Sequence, residues 1–211
     1  MRKNDEEAVT PQPTVVLRGV QVFQGWLDRA DQLAMLAQIR DVVQVAPLVQ
    51  PVTPSGRKMS VQMTSAGKLG WITDRGGYRY ETTHPNGTTW PEIPSTVRAV
   101  WDAVSGSSRG PDSCLINLYR EAAKMGLHQD RNEADFSYPV VSISLGDDGL
   151  FRIGNMTRGG TTEKIWLKSG DVVVMGGDAR LIFHGIDKTR LGSSTLLSGG
   201  GRLNLTMRVV T

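Results

Sequence analysis

Over residues 31–43, DQLAMLAQIRDVV, apolar side chains recur at Leu33, Leu36, Ile39 and Val43, steps of three and four that lay one stripe along an α-helix. Asp31 is placed to cap its first turn. A second helix is predicted over residues 95–104, where Val97, Val100, Trp101 and Val104 share a face behind the start signal of Pro94 and Ser95. Such stripes pack against a core. Past residue 112 the pattern changes to short β-branched runs broken by Gly, Asp and Asn: CLINLY, YPVVSISLG, GLFRIG, EKIWLK, DVVVMGG, RLIFHG and RLNLTMRVV. Many short strands at close spacing predict a mainly β (α+β) protein, a sandwich or barrel of mostly antiparallel strands with the helices outside. Ser169, Gly170 and Asp171 supply turn chemistry between two of the runs. Residues 48–94, rich in Gly, Thr, Tyr and Trp, read as loops and short strands, where binding surfaces tend to sit.

Length restricts this pattern to one domain, because 211 residues fill one substantial core and fall short of two. A composition of 39% hydrophobic and 21% charged residues is that of a soluble globular chain. No apolar run approaches the ~20 residues of a membrane span. The opening MRKNDEEAVTPQPT has no apolar stretch of signal-peptide type, so residues 1–13 read as a disordered arm and a cytoplasmic location is expected. The lone Cys114, inside CLINLY, agrees with this and reads as a buried, inert thiol. Net charge is only +3 at a pI of about 9.2, which permits a polyanionic partner without demanding one.

The candidate chemistry lies in KMGLHQDRN, which sets Asp130 two places after His128. On an extended strand such positions share a side and can address one point. His184, in RLIFHGI at the end of another predicted strand, offers a third donor. Two imidazoles and a carboxylate on one face of an octahedral ion are the ligand set of non-haem Fe(II) oxygenases, with open positions for a chelating 2-oxo acid and for dioxygen. The residues alone leave satisfied surface or core pairs as the other reading, since His-x-Asp arises readily by chance. His84, in THPNG, reads as a solvated loop residue.

Downstream, in GRLNLTMR, Arg202, Asn204 and Arg208 share strand parity, and arginines facing a barrel interior need an anion. A dicarboxylate meets that need through paired guanidinium hydrogen bonds. Six residues of strand separate the two arginines by roughly 20 Å, so both cannot clamp one carboxylate. Arg202 is assigned to the far carboxylate of the oxo acid and Arg208 to the end nearer the metal. Solvated edge-strand charges are the alternative.

In order, MSVQMTSAGKLGW, CLINLY, LHQD, VSISLG, GDVVVMGG, LIFHGI and RLNLTMR resemble the AlkB-type 2-oxoglutarate- and Fe(II)-dependent dioxygenases, over about residues 45–210. The resemblance implies a double-stranded β-helix (jelly-roll) core over 112–211 inside a single dioxygenase domain, 14–211, with two or more flanking N-terminal helices and with 48–94 as a nucleotide-recognition lid. It implies His128, Asp130 and His184 as catalytic iron ligands. For 2-oxoglutarate it implies Leu115, Asn117, Tyr119, Ser144, Arg202, Asn204 and Arg208. Trp71 looks like the residue that stacks on a flipped base, the alternative being an ordinary core aromatic. Tyr78 looks like a phosphate or lid contact, and Met59 and Met63 like apolar lid residues, while Gln129 and Asn132 join them near the substrate. Lys68, Arg75, Arg79, Lys124, Arg131 and Arg158 are candidates for phosphates. The expected partner is single-stranded DNA or a base flipped from a duplex, with RNA as a second candidate, and the protein is expected to act as a monomer. The implied reaction is oxidative demethylation of bases such as 1-methyladenine and 3-methylcytosine, with Fe(II), 2-oxoglutarate and O2.

Two departures from the family pattern stand out. Asn132 occupies the place where the best-known bacterial member has an acidic residue, and YREAAKMG lacks the expected Pro and Gly after the tyrosine. Two other functions fit the same residues. One keeps the iron and the oxo acid but acts on RNA, protein or a small molecule; the other is a non-catalytic nucleic-acid-binding module.

Overall fold

The computed structural model describes residues 11–211, so residues 1–10 of the predicted arm lie outside the described residues. A tight hairpin of β1 (Val15–Leu17) and β2 (Val20–Phe23) leads into α1 (Arg29–Val45). There follow β3 (Gln62–Gly67), a hairpin of β4 (Gly70–Asp74) and β5 (Gly77–Glu81), and α2 (Ser95–Val104). The remainder is strand after strand: β6 (Ser113–Tyr119), β7 (Met125–His128), β8 (Val140–Gly146), β9 (Asp148–Ile153), β10 (Glu163–Leu167), β11 (Val172–Met175), β12 (His184–Arg190) and β13 (Arg202–Arg208). A large sheet has the order β1-β2-β11-β8-β13-β6-β3 and a small one β10-β9-β12-β7, all pairs antiparallel. The two sheets enclose the cavity described below, the antiparallel sandwich expected from the strand pattern and the jelly-roll that the family resemblance implies. Among the described residues no helix is long and apolar enough to cross a membrane.

The large sheet is buried on both faces, and its side chains sort cleanly by parity. Leu203, Leu205 and Met207 of β13, with Cys114, Ile116, Val141 and Ile143, join Met35, Ile39, Val97 and Trp101 of the helices in one core. The opposite parity, Leu115, Tyr119, Val140, Val173 and Met175, meets Phe151, Ile153, Leu167 and Ile186 of the small sheet in a second. Burial on both sides explains why these strands read as near-continuous apolar runs. Trp101, fully buried, shows what such a position contributes: its truncation to alanine costs about 3–5 kcal/mol. Cys114 is fully buried, and burial pushes its thiol up to about 12, so it is inert as expected.

α2 forms over the expected residues and buries the expected four. α1 is longer than predicted and turned about its axis. Asp28, not Asp31, caps it, its carboxylate accepting from the Asp31 amide at 2.8 Å. Met35, Leu36, Ile39 and Val42 face the core while Leu33 is 48% exposed. Two overlapping stripes exist in this segment, and only contact with the large sheet selects between them. RLIFHG is not one strand either. A 3-10 turn, Gly177–Ala179, precedes Arg180, and β12 begins at His184 rather than ending there. The apolar Ile182 and Phe183 fill the inter-sheet space from an irregular segment. His84 is a third correction: it is 3% exposed, its ring hydrogen-bonded to the Pro47 carbonyl and the Asn86 amide and packed edge-on to Trp90. Aromatic packing draws this turn inward where its polar sequence suggested solvent.

Candidate active site

His128 ends β7 and His184 opens β12, and the ladder pairs them directly across the small sheet. Asp130 lies two residues beyond His128, just past the end of β7. The two side chains address one point as predicted: the Asp130 carboxylate oxygens stand 3.7 Å from His128 Nε2 and 3.8 Å from His184 Nε2. One donor atom from each residue lies within 4.8 Å of the others. Each imidazole is oriented from behind, Nδ1 sitting 2.9 Å from the Gly126 carbonyl in His128 and 3.0 Å from that of Ile182 in His184. Donation from Nδ1 leaves Nε2 as the free lone pair, the tautomer a metal requires.

Charge around the triad suits a cation. Burial, reinforced by His128, lowers the pKa of His184 to about 4, which keeps it neutral at ordinary pH, the form able to ligate a metal. Burial alone would raise the Asp130 carboxyl, but Arg208, followed by the histidines, holds it well below the usual carboxylate range. Arg208 Nη2 donates to Asp130 Oδ2 at 2.8 Å. Burial disfavours the Arg208 charge, yet Asp130, Tyr80 and Glu133 outweigh it and raise its pKa.

The triad opens into a cavity of about 500 Å³ between the sheets. Leu115, Asn117 and Tyr119 of β6 and Arg202, Asn204, Thr206 and Arg208 of β13 line it, with Phe151, Leu167, Met175 and Ile186 as the apolar wall. Arg202 is fully buried. Its guanidinium meets only neutral oxygens: Ser144 Oγ at 2.8 Å and the carbonyls of Asp147 and Leu167 at 3.4 Å, with Nε unpartnered. Burial lowers its pKa. At Gly149 a Cβ would stand 2.7 Å from Arg202 Nε, so only glycine admits the side chain here. A buried guanidinium without a carboxylate, at the end of a cavity that begins at three metal-type donors, fits a small dianion chelating that metal. Tyr119, its phenol pushed up to about 12 by burial, stays a hydrogen-bond donor beside it.

At the mouth, Trp71 of β4 stacks on Tyr78 of β5 with ring centroids 5.6 Å apart, and Trp71 Nε1 reaches Asn132 Oδ1 at 3.4 Å. Met59, Met63, Gln129, Arg131 and Arg158 line the same opening. Other expected residues lie outside the cavity wall or have their polar groups engaged within the fold. Ser144 is not a wall residue; it is fully buried and supports Arg202 from behind. Lys124, just before β7, is exposed and lines a depression with Glu121 and Lys188, away from the cavity. Arg79 is engaged by Asp74 at 2.8 Å and Glu81 at 2.6 Å within its own hairpin, which removes it as a free phosphate cation. The Asn204 amide donates to Ser142 Oγ and the Ile143 carbonyl rather than into the cavity. That of Gln129 donates to the Leu181 and Met156 carbonyls.

Sequence reasoning missed a buried polar network behind Asp130. Glu133, 7% exposed, accepts from Tyr80 OH at 2.6 Å and pairs with Arg180 at 3.1 Å and Arg208 at 3.4 Å. Arg180 also donates to the Asp130 and Tyr138 carbonyls at 2.7 and 2.8 Å. Burial, with Glu133 adding to it, keeps the Tyr80 phenol protonated. The one sequence signal was the parity of Tyr80 with Tyr78, since nothing in the spacing of Glu133 or Arg180 marks them.

A two-histidine, one-carboxylate centre in a jelly-roll, facing a buried arginine, defines a 2-oxoglutarate- and Fe(II)-dependent oxygenase. The model of the 2OG-Fe(II) oxygenase superfamily matches residues 19–208. The chain is 47% identical to an alpha-ketoglutarate-dependent dioxygenase AlkB homolog of Caulobacter vibrioides, covering 93% of this chain and 90% of that one. It is 31% identical to the DNA N(6)-methyladenine demethylase ALKBH1D of Arabidopsis thaliana, covering 92% of this chain and 50% of that protein. The solved structure of OsALKBH1 superposes with a TM-score of 0.76 at 30% identity, over 92% of this chain and 99% of that one. The chain therefore belongs to the AlkB-type 2OG-Fe(II) dioxygenases and uses Fe(II), 2-oxoglutarate and O2.

Proposed function

We propose that this protein repairs nucleic acid by removing N-linked methyl groups from bases such as 1-methyladenine and 3-methylcytosine. The observation that carries this reading is an aromatic pair, Trp71 on Tyr78, at the mouth of a cavity whose inner wall holds the three metal-type donors. A planar base fits against an aromatic face, and a base inside a duplex cannot reach a buried centre, so the substrate is single-stranded or flipped out. The Arabidopsis relative is named a DNA N(6)-methyladenine demethylase, which supports a nucleic-acid substrate.

His128 and His184, through Nε2, and Asp130 are the residues that would hold iron, and Arg202 would take the far carboxylate of 2-oxoglutarate. The chemistry supplied by iron, oxo acid and dioxygen is hydroxylation of the N-attached carbon, with the oxo acid converted to succinate and carbon dioxide. The resulting hemiaminal loses formaldehyde and returns the base. Protein side chains supply the orientation. Arg208 fixes the Asp130 carboxylate, Ser144 fixes Arg202, and Leu115, Phe151 and Ile186 keep water from the reacting carbon. In this reading the β4–β5 hairpin is the recognition element of the 48–94 segment, with Arg131 and Arg158 beside it to meet phosphates.

Incubation of methylated single-stranded oligonucleotides with Fe(II), 2-oxoglutarate and O2 should give a 14 Da mass loss per methyl group, in step with formaldehyde and succinate. His128→Ala should abolish both products while the fold is retained. Trp71→Ala should raise the KM for oligonucleotide about 5- to 100-fold and leave that for 2-oxoglutarate unchanged. Full activity of the His128 variant removes the iron assignment, and an unchanged oligonucleotide KM removes the stacking role.

A further inference from the structure

Arg18 and Gly19 form the two-residue turn between β1 and β2, and both have positive φ, 52° and 81°. Turns of this kind favour Asn, Asp or Gly at the first position. Arginine there is strained, which directs attention to what its side chain does. The guanidinium leaves the large sheet and crosses to the segment joining β9 to β10, residues 154–162. Nε donates to Glu163 Oε1 at 2.8 Å, Nη1 to the Gly154 carbonyl at 3.2 Å and to Asn155 Oδ1, and Nη2 to Thr161 Oγ1 at 3.1 Å. Both ends of one loop are thus gripped by a single planar fork.

The same loop is fixed at its base to the metal side of the molecule. Gly154 N donates to the Phe183 carbonyl at 2.7 Å and Phe183 N to the Asn155 carbonyl at 3.0 Å, next to His184. Asn155 closes the loop internally on the Gly159 and Thr161 carbonyls, and Gln129 holds the Met156 carbonyl at 3.2 Å. What the loop carries is Arg158, whose guanidinium lies over the Phe183 ring at 4.9 Å and lines the cavity.

We propose that Arg18 is a positioning residue for substrate: its four-way grip sets the 154–162 loop so that Arg158 stands at the cavity rim to pair with a phosphate of the bound strand. The inference rests on the nucleic-acid reading above and adds a determinant that comes from the large sheet, opposite the one that carries the two histidines. A fork with fixed donor directions suits the task, and a lysine, with one flexible charge, does not.

Kinetics on a methylated oligonucleotide test it. Arg18→Ala should raise the oligonucleotide KM roughly fivefold, with kcat and the 2-oxoglutarate KM within about twofold of wild type. Arg18→Lys should behave like Arg18→Ala, because charge without the fork does not hold the loop. Arg158→Ala should raise the same KM, and the Arg18→Ala/Arg158→Ala double variant should be no worse than Arg158→Ala alone, the signature of two residues acting through one contact. Should Arg18→Ala fail to fold, Arg18→Lys and Thr161→Val carry the comparison. An unchanged oligonucleotide KM in a folded Arg18 variant, recovery by lysine, or effects that multiply in the double variant would each overturn the proposal. A wild type inactive on every methylated oligonucleotide sinks the repair reading itself, whereas an active wild type with an indifferent Arg18 removes the clamp alone.

Discussion

The two ends of β13 carry the same residue on the same face and treat it in opposite ways. Arg208 is buried against Asp130 and Glu133, so its charge is answered within the fold and its pKa is raised. Arg202 is buried more completely, 0% against 5% exposed, yet meets only a hydroxyl and two carbonyls, and burial lowers its pKa. A cation already paired is part of the machinery that holds a metal ligand. A cation buried without its counterion is a binding site, because an arriving carboxylate recovers electrostatic energy that folding left unclaimed. The comparison sharpens the separate roles expected of the two arginines: Arg208 touches Asp130, and Arg202 awaits an anion.

The largest effect that would break this contrast is on stability. Arg208→Ala takes from the buried Asp130 carboxylate its paired cation, leaving Glu133 to Arg180 and Tyr80, and should cost about 3–5 kcal/mol in a denaturant titration, together with weaker binding of Co(II) or Mn(II) in place of iron. A loss below about 1 kcal/mol would mean that the pair is not the brace proposed. Next in size is a pH effect at the same end. In metal-free protein the unfolded chain protonates His184 near its ordinary value of about 6.5, while the folded chain does so only near about 4. Between those values the unfolded state binds more protons, so stability is full above about 6.5 and falls as pH drops toward about 4, by on the order of 2–3 kcal/mol. Stability that rises on acidification over this window would contradict a neutral His184.

Arg202→Met should show the opposite stability pattern from Arg208→Ala. Removing an uncompensated buried charge with little change in volume should leave stability unchanged or raise it by about 1 kcal/mol, while the 2-oxoglutarate KM rises roughly 30- to 100-fold. Destabilisation equal to that of Arg208→Ala, with the KM for the oxo acid unaltered, would erase the distinction between the two ends.

Periodicity determined much of this protein: α2 and its buried face, the existence of most of the late strands, and the shared face of Arg202, Asn204 and Arg208. These are properties of local pattern, and a strand that alternates side chains can be read one residue at a time. His128, Asp130 and His184 were legible as a donor set, but not the way they meet, since the pairing of His184 directly opposite His128 is a cross-strand register 56 residues apart in the chain. Tertiary structure alone decided which stripe of α1 faces inward, that His84 is buried, that Lys124 points away, and that Glu133 and Arg180 brace the metal end. These turn on partners brought together in space, as Glu133 with Tyr80 and Arg180, or His84 with Pro47, and burial energy and ion pairing depend on what arrives there, which spacing along a chain does not encode.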